Sequence, residues 1–173
     1  MIMLILALLS VAALVFIDVL IKGWAIETLK PLGSMDFLKI GDTDIIGFRY
    51  AENTGAAFSA FNGAGTILSV VVSVILAGVI FYAFTEKHKT IFKTICYVMI
   101  VSGGIGNLID RFKQGYVVDY IEVRLFDFAI FNFADILITV GAFMYIIAMI
   151  ISERNTDKLR AGRIRSEVRN KYK

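Results

Sequence analysis

Four long stretches of the chain, at residues 2–21, 65–84, 91–109 and 133–151, carry almost nothing but apolar side chains. Each is close to the roughly 20 mainly apolar residues that cross a bilayer as a helix, so the pattern predicts four transmembrane helices. The first stretch has no basic leader segment and no convincing small-residue cleavage site, and it carries Asp18 and Lys22 near its end. It is therefore expected to be a retained span rather than a signal peptide. Between the first two stretches the rhythm changes. Residues 36–61, DFLKIGDTDIIGFRYAENTGAAFSAF, mix Gly and Asp turn signals with short runs rich in Ile, Phe and Tyr, a pattern that predicts a few short strands. Their edges need water or headgroups, because unpaired backbone cannot face lipid tails. The expected fold is a mainly α integral membrane protein: one domain over residues 1–173, four transmembrane helices and a small extracytoplasmic β-sheet.

Charge orients this arrangement. Lys87 and Lys89 fall between spans two and three with Lys93 at the very start of span three, and Arg154, Lys158, Arg160, Arg163, Arg165, Arg169, Lys171 and Lys173 follow span four. Basic residues collect on the cytoplasmic side, which places both termini there and exposes residues 22–64 and 110–132 on the outer face. The tail over residues 152–173 fits this topology and attraction to anionic lipid, and no nucleic-acid partner is expected. Composition agrees: 58% hydrophobic residues, 19% charged residues and a mean hydropathy of +0.75 lie outside the range of a soluble domain. Cys96, the single cysteine, sits in an apolar run and can form no internal disulfide. His88, the single histidine, lies in TEKHKT and reads as a solvated loop residue. With one residue of each kind, a zinc site or a histidine-activated nucleophile is hard to build, so no metal or cofactor is expected and any chemistry rests on carboxylates.

The polar residues of the spans share one depth. Asp18 and Lys22 end span one, Asn107, Asp110 and Arg111 end span three, and Asn132 and Asp135 begin span four, all on the outer side. Several have structural readings. Asp18 and Lys22, at i and i+4, can pair on one helix face. Asp110 and Arg111 can close span three as an interfacial pair, with Arg111 meeting lipid phosphate. Asn53 can be a turn residue before Gly55, and Asp135 can cap a helix N-terminus. Asp119, flanked by Val117, Val118, Tyr120 and Ile121, has no such account. Two carboxyls brought together in an apolar pocket cannot easily both ionise, and a pair sharing one proton can activate water and polarise a carbonyl. Asp119 and Asp135 therefore point to an aspartic peptidase. A proton-coupled transporter, which also uses membrane carboxylates, is the alternative, although internal repeats and broken mid-span helices are not apparent.

Four stretches resemble the bacterial lipoprotein signal peptidases, or signal peptidase II: DVLIK (18–22), ENTGAAF (52–58), GGIGNLIDRFKQGYVVDYI (103–121) and FNFAD (131–135). Their order and spacing match that family over nearly the whole chain apart from the basic tail. The resemblance implies that Asp119 and Asp135 are the catalytic dyad, and that Asn53, Asn107, Arg111 and Asn132 support it or bind substrate. Asp18, Lys22 and Asp110 would be mainly architectural, and residues 36–61 would cradle the substrate. A monomer in the bacterial cytoplasmic membrane, with no metal, is expected. Its substrates would be prolipoproteins with a lipobox, cut just before a diacylglyceryl-modified cysteine. The chain departs from the family pattern at Val19 and Ile21, where Gln and Thr are usual, and at Ala129 and Ile136, where Pro and Ser are common. The last two put the positioning around Asp135 in question.

Overall fold

The computed structural model describes residues 1–55, 64–86, 90–126 and 128–171, with side chains not described for 64–66 and 154–171. His88, Lys87 and Lys89, the end of the ENTGAAF stretch and the basic side chains of the tail lie outside the described residues.

Helix α1 (Ile2–Trp24) continues through a π-helical turn (Ala25–Leu29) into a short helix α2 (Lys30–Leu32), well past the expected end at residue 21. The combined 31 residues reach roughly 46 Å at about 1.5 Å per residue, more than the roughly 30 Å of a hydrocarbon core, so one end stands clear of it. Helix α3 (Ala64–Thr85) returns, α4 (Ile91–Gln114) comes back, and α5 (Phe133–Lys171) leaves again as one continuous helix into the tail. All four are long and apolar enough to cross a membrane. Helix α4 is the axis of the bundle and packs against α1, α3 and α5. It starts at Thr90, whose hydroxyl accepts the Lys93 amide at 3.2 Å, and ends at Gly115 in the left-handed conformation, φ 82°.

Burial is inverted relative to a water-soluble protein. The buried residues of α1 are Asp18 and Lys22, whereas Leu8, Leu9, Phe16 and Leu20 lie on its outside. Lipid solvates the apolar side chains as well as a protein core would, so the interior collects the groups that lipid cannot solvate. The small residues of α4 make the close approach possible. Ser102, Gly103, Gly104 and Gly106 are buried, and a methyl group at Gly103 would stand 2.3 Å from the Ala134 carbonyl oxygen of α5.

At one end of the bundle lies an antiparallel sheet in the order β1 (Ser34–Ile40), β2 (Thr43–Asn53), β3 (Val117–Val123). The first two strands fall where the residue pattern expects them. The third, within the outer segment 110–132, was not anticipated, because VVDYIEV has no clean alternation of apolar and polar residues. Both its faces are covered: Val117, Val118, Asp119 and Tyr120 are all buried, and Val118 and Tyr120 pack on Ala25 and Leu29 of the π turn. A strand buried on both sides loses the period-two signature by which it is normally read.

Candidate active site

The ends of α1 and α4, the start of α5 and strand β3 meet beneath the sheet. Strand β3 carries Asp119 opposite Ala51 of β2, while Asn53 of β2 stands opposite Val117. Asn53 and Asp119 are thus diagonal cross-strand neighbours, and Asn53 Nδ2 donates to Asp119 Oδ2 at 2.9 Å. An extra residue on β2 between Phe48 and Ala51 shifts the ladder just beside this pair. Asn53 Oδ1 also accepts the Gly55 amide at 2.9 Å, so the turn expected at Asn53 is present while its NH2 contacts Asp119.

Phe131 joins β3 to the start of α5. It exchanges backbone hydrogen bonds with Ile121 at 2.8 and 3.1 Å, and the Tyr120 hydroxyl accepts the Phe133 amide at 3.1 Å. Asn132, fully buried between these contacts, is the residue before the first turn of α5. Its Oδ1 accepts the Asp135 amide at 2.9 Å, and Asp135 Oδ2 accepts the Asn132 amide at 3.1 Å, a reciprocal capping box. The capping role expected of Asp135 is therefore present. Its other oxygen, Oδ1, accepts from Asn107 Nδ2 at 2.8 Å. Asn132 Nδ2 donates to Asp119 Oδ1 at 2.7 Å and to Asn107 Oδ1 at 3.2 Å. Asn132 thus touches both carboxyls, which sequence separation alone left unconnected.

Behind this layer lies the cation. Lys22 Nζ stands 2.8 Å from Asp18 Oδ2, 2.9 Å from Asp110 Oδ2 and 2.9 Å from Asn107 Oδ1, and the lysine is 2% exposed. The pairing expected between Asp18 and Lys22 is present. The interfacial pairing expected between Asp110 and Arg111 is not: Asp110 turns inward to Lys22 and accepts the Val118 amide at 3.1 Å, tying α4 to β3. A desolvated carboxylate gains more from a buried ammonium and a strand amide than from an arginine at the boundary. Arg111 stays half-buried at the rim. It donates to the Asn107 carbonyl at 3.4 Å and, among the described residues, forms no ion pair.

Gly106 explains how Asp18 reaches the cluster: a methyl group there would lie 2.4 Å from Asp18 Oδ2. Burial pushes the Asp119 carboxyl up to about 6, with the nearby Asp135 charge adding to the rise and the hydrogen bonds from Asn53 and Asn132 opposing it. A carboxyl poised there can give or take a proton near neutral pH. Tyr120, which the sequence did not single out, holds the first turn of α5 in place from β3. Its signal was its position next to Asp119.

The chain as a whole is similar to known proteins. The model of the Signal peptidase (SPase) II family matches residues 10–151. A lipoprotein signal peptidase of Streptococcus pyogenes serotype M2 (strain MGAS10270) is 37% identical over 141 residues, which cover 82% of this chain and 90% of the relative. A second, from serotype M3 (strain ATCC BAA-595 / MGAS315), is 36% identical over the same length. Among solved structures, a bacterial membrane enzyme determined by the in meso method at 1.9 Å resolution superposes with a TM-score of 0.71 at 27% identity, covering 83% of this chain and 91% of that one.

Proposed function

The chain belongs to the signal peptidase II family, a multi-pass bacterial membrane peptidase family that removes signal peptides from prolipoproteins, and from that premise we propose that it works as an aspartic peptidase through Asp119 and Asp135. The observation that carries the proposal is the shared Asn132: its side-chain NH2 donates to Asp119 Oδ1, its backbone N–H donates to Asp135 Oδ2, and its side-chain oxygen accepts the Asp135 backbone amide. Two carboxyls held by one residue in a buried layer can divide a single proton between them. The base and the acid are roles within the pair.

In the proposed reaction, the charged member removes a proton from water as the water attacks the scissile carbonyl. The protonated member donates a hydrogen bond to the developing oxyanion and then delivers a proton to the departing amine. No metal takes part. Asn53, Asn107 and Asn132 hold the two carboxyls in place, and Arg111, half-buried and without an ion pair among the described residues, is available to bind the substrate backbone or its lipid-linked end.

The substrate is a prolipoprotein whose lipobox precedes a diacylglyceryl-modified cysteine, and the cut falls just before that cysteine. A substrate held by acyl chains and an apolar helix can arrive only sideways from the bilayer. The carboxyls lie at the sheet end of the bundle, where a span boundary meets water. With the basic segments in the cytoplasm, that end faces outward and both termini face inward. The protein acts as a single-domain monomer among membrane lipids. Incubation of purified protein in detergent with a diacylglyceryl-modified prolipoprotein tests the proposal: wild type should cleave before the lipidated cysteine, and Asp119→Asn should not. Full activity in Asp119→Asn would end the aspartic reading.

A further inference from the structure

A lysine with 2% exposure beside a hydrolytic site needs an account beyond holding helices together, because a buried ammonium is retained at a cost in desolvation. All three Lys22 donors are engaged: one to Asp18, one to Asp110, one to Asn107 Oδ1. The third is the informative one. An asparagine side chain has two faces that differ only in which carries the hydrogens, and its neighbours decide the orientation. Around Asn107 every neighbour agrees. Its oxygen faces the Lys22 ammonium at 2.9 Å and the Asn132 NH2 at 3.2 Å, both donors, and its NH2 faces Asp135 Oδ1 at 2.8 Å, an acceptor. Turning the amide over would set donor against donor on one side and oxygen against carboxylate oxygen on the other.

Without the ammonium, Asn132 would be the one remaining donor to the Asn107 oxygen, at the longer distance of 3.2 Å, and its NH2 is also engaged by Asp119 Oδ1 at 2.7 Å. We propose that Lys22 is a positioning residue for the dyad: clamped by Asp18 and Asp110, its ammonium fixes the Asn107 amide so that the NH2 is always presented to Asp135. This rests on Asp119 and Asp135 being the reacting carboxyls. Lys22 acts one residue away from the chemistry and is not itself a catalytic residue. Asp18 and Asp110 acquire a purpose in the same stroke, since they hold the ammonium at the depth of Asn107. The charged and titratable groups around the dyad are Asp18 and Lys22 on α1, Asp110 and Arg111 on α4, Tyr120 on β3, and the two dyad members themselves.

The test compares wild type with the double variant Asp18→Asn, Lys22→Gln, which removes one charge of each sign and so leaves the cluster's net charge unchanged. Cleavage rates are measured against pH in detergent, with folding followed by thermal unfolding. The expected result is a folded protein with kcat reduced about tenfold or more, KM little changed, and the acid limb of the pH profile moved up by about one unit, as loss of an oriented hydrogen-bond donor to the charged carboxyl requires. A folded variant with the wild-type profile, or with a lower rate and unmoved limbs, overturns the proposal. Asn107→Leu keeps the Lys22, Asp18 and Asp110 cluster intact and covers the case in which the double variant does not fold. It should show the same upward movement, and an unmoved limb there is equally fatal. Asp119→Asn run alongside separates the two readings: if it remains active, the dyad assignment has failed, whereas an inactive Asp119→Asn with an unmoved limb in the Lys22 or Asn107 variants condemns the positioning role alone.

Discussion

Asn132 and Asp135 cap each other: the Asn132 side-chain oxygen accepts the Asp135 amide at 2.9 Å and the Asp135 carboxylate accepts the Asn132 amide at 3.1 Å. The aspartate proposed to do chemistry is thus also the residue that starts its own helix.

Catalysis and capping should separate by substitution. Asp135→Asn retains an oxygen that can accept the Asn132 amide, so it should lose cleavage with little loss of stability. Asp135→Ala should lose cleavage and, in addition, about 1 kcal/mol of stability as the box opens. Unfolding in detergent alongside the cleavage assay checks this. Equal stability of the two variants would show that the cap contributes nothing.

Asp119 makes stability depend on pH. Its carboxyl rises from an ordinary 3.8 to about 6 on folding, so between those values the folded protein binds more protons than the unfolded one. Stability therefore falls as pH rises through that window. The full cost, about 3 kcal/mol as an upper figure, is present above pH 6 and absent below pH 4. Asp119→Asn has no such titration, so wild type should gain stability relative to the variant as pH falls from 7 to 4. Parallel unfolding curves across that range would contradict the burial-driven rise.

Asn53→Ala removes a donor to Asp119 Oδ2 and the acceptor for the Gly55 amide. A hydrogen bond to a charged carboxyl contributes roughly 1.5–3 kcal/mol, so cleavage should slow about ten- to a hundredfold. The acid limb of the pH profile should also move upward, because the charged form loses a partner. Steady-state rates against pH decide it, and an unchanged limb would mean that Asn53 serves the turn alone.

Close helix approach should be visible in the glycines. Gly103→Ala and Gly106→Ala put a methyl group 2.3 Å from the Ala134 carbonyl oxygen and 2.4 Å from Asp18 Oδ2, and should cost roughly 1–3 kcal/mol each as the helices part. Gly78→Ala meets nothing within 4 Å and should be neutral or stabilise by about 0.5–1 kcal/mol. Thermal unfolding of the three variants distinguishes packing from a general intolerance of change.

The sequence by itself determined that four apolar segments cross a membrane, because span length and hydropathy are local quantities that no tertiary contact is needed to read. It also determined the i, i+4 pairing of Asp18 with Lys22, the strands β1 and β2, and, through the order of its motifs, the resemblance to signal peptidase II. What lay beyond it depended on residues distant in the chain. Strand β3 is covered on both faces and so carries no alternation. The first helix runs on to Leu32, and strands β2 and β3 pack against its π-helical turn. Asp110 leaves Arg111 for Lys22, 88 positions earlier, since a desolvated carboxylate takes the nearest buried cation in space rather than the nearest charge in sequence. The capping box of Asn132 with Asp135 is a spacing of three and so is local to the chain. Tertiary structure alone brought Asp119 onto that box, because the 2.7 Å hydrogen bond from Asn132 is decided by how strand β3 and helix α5 pack, and no spacing along the chain encodes that.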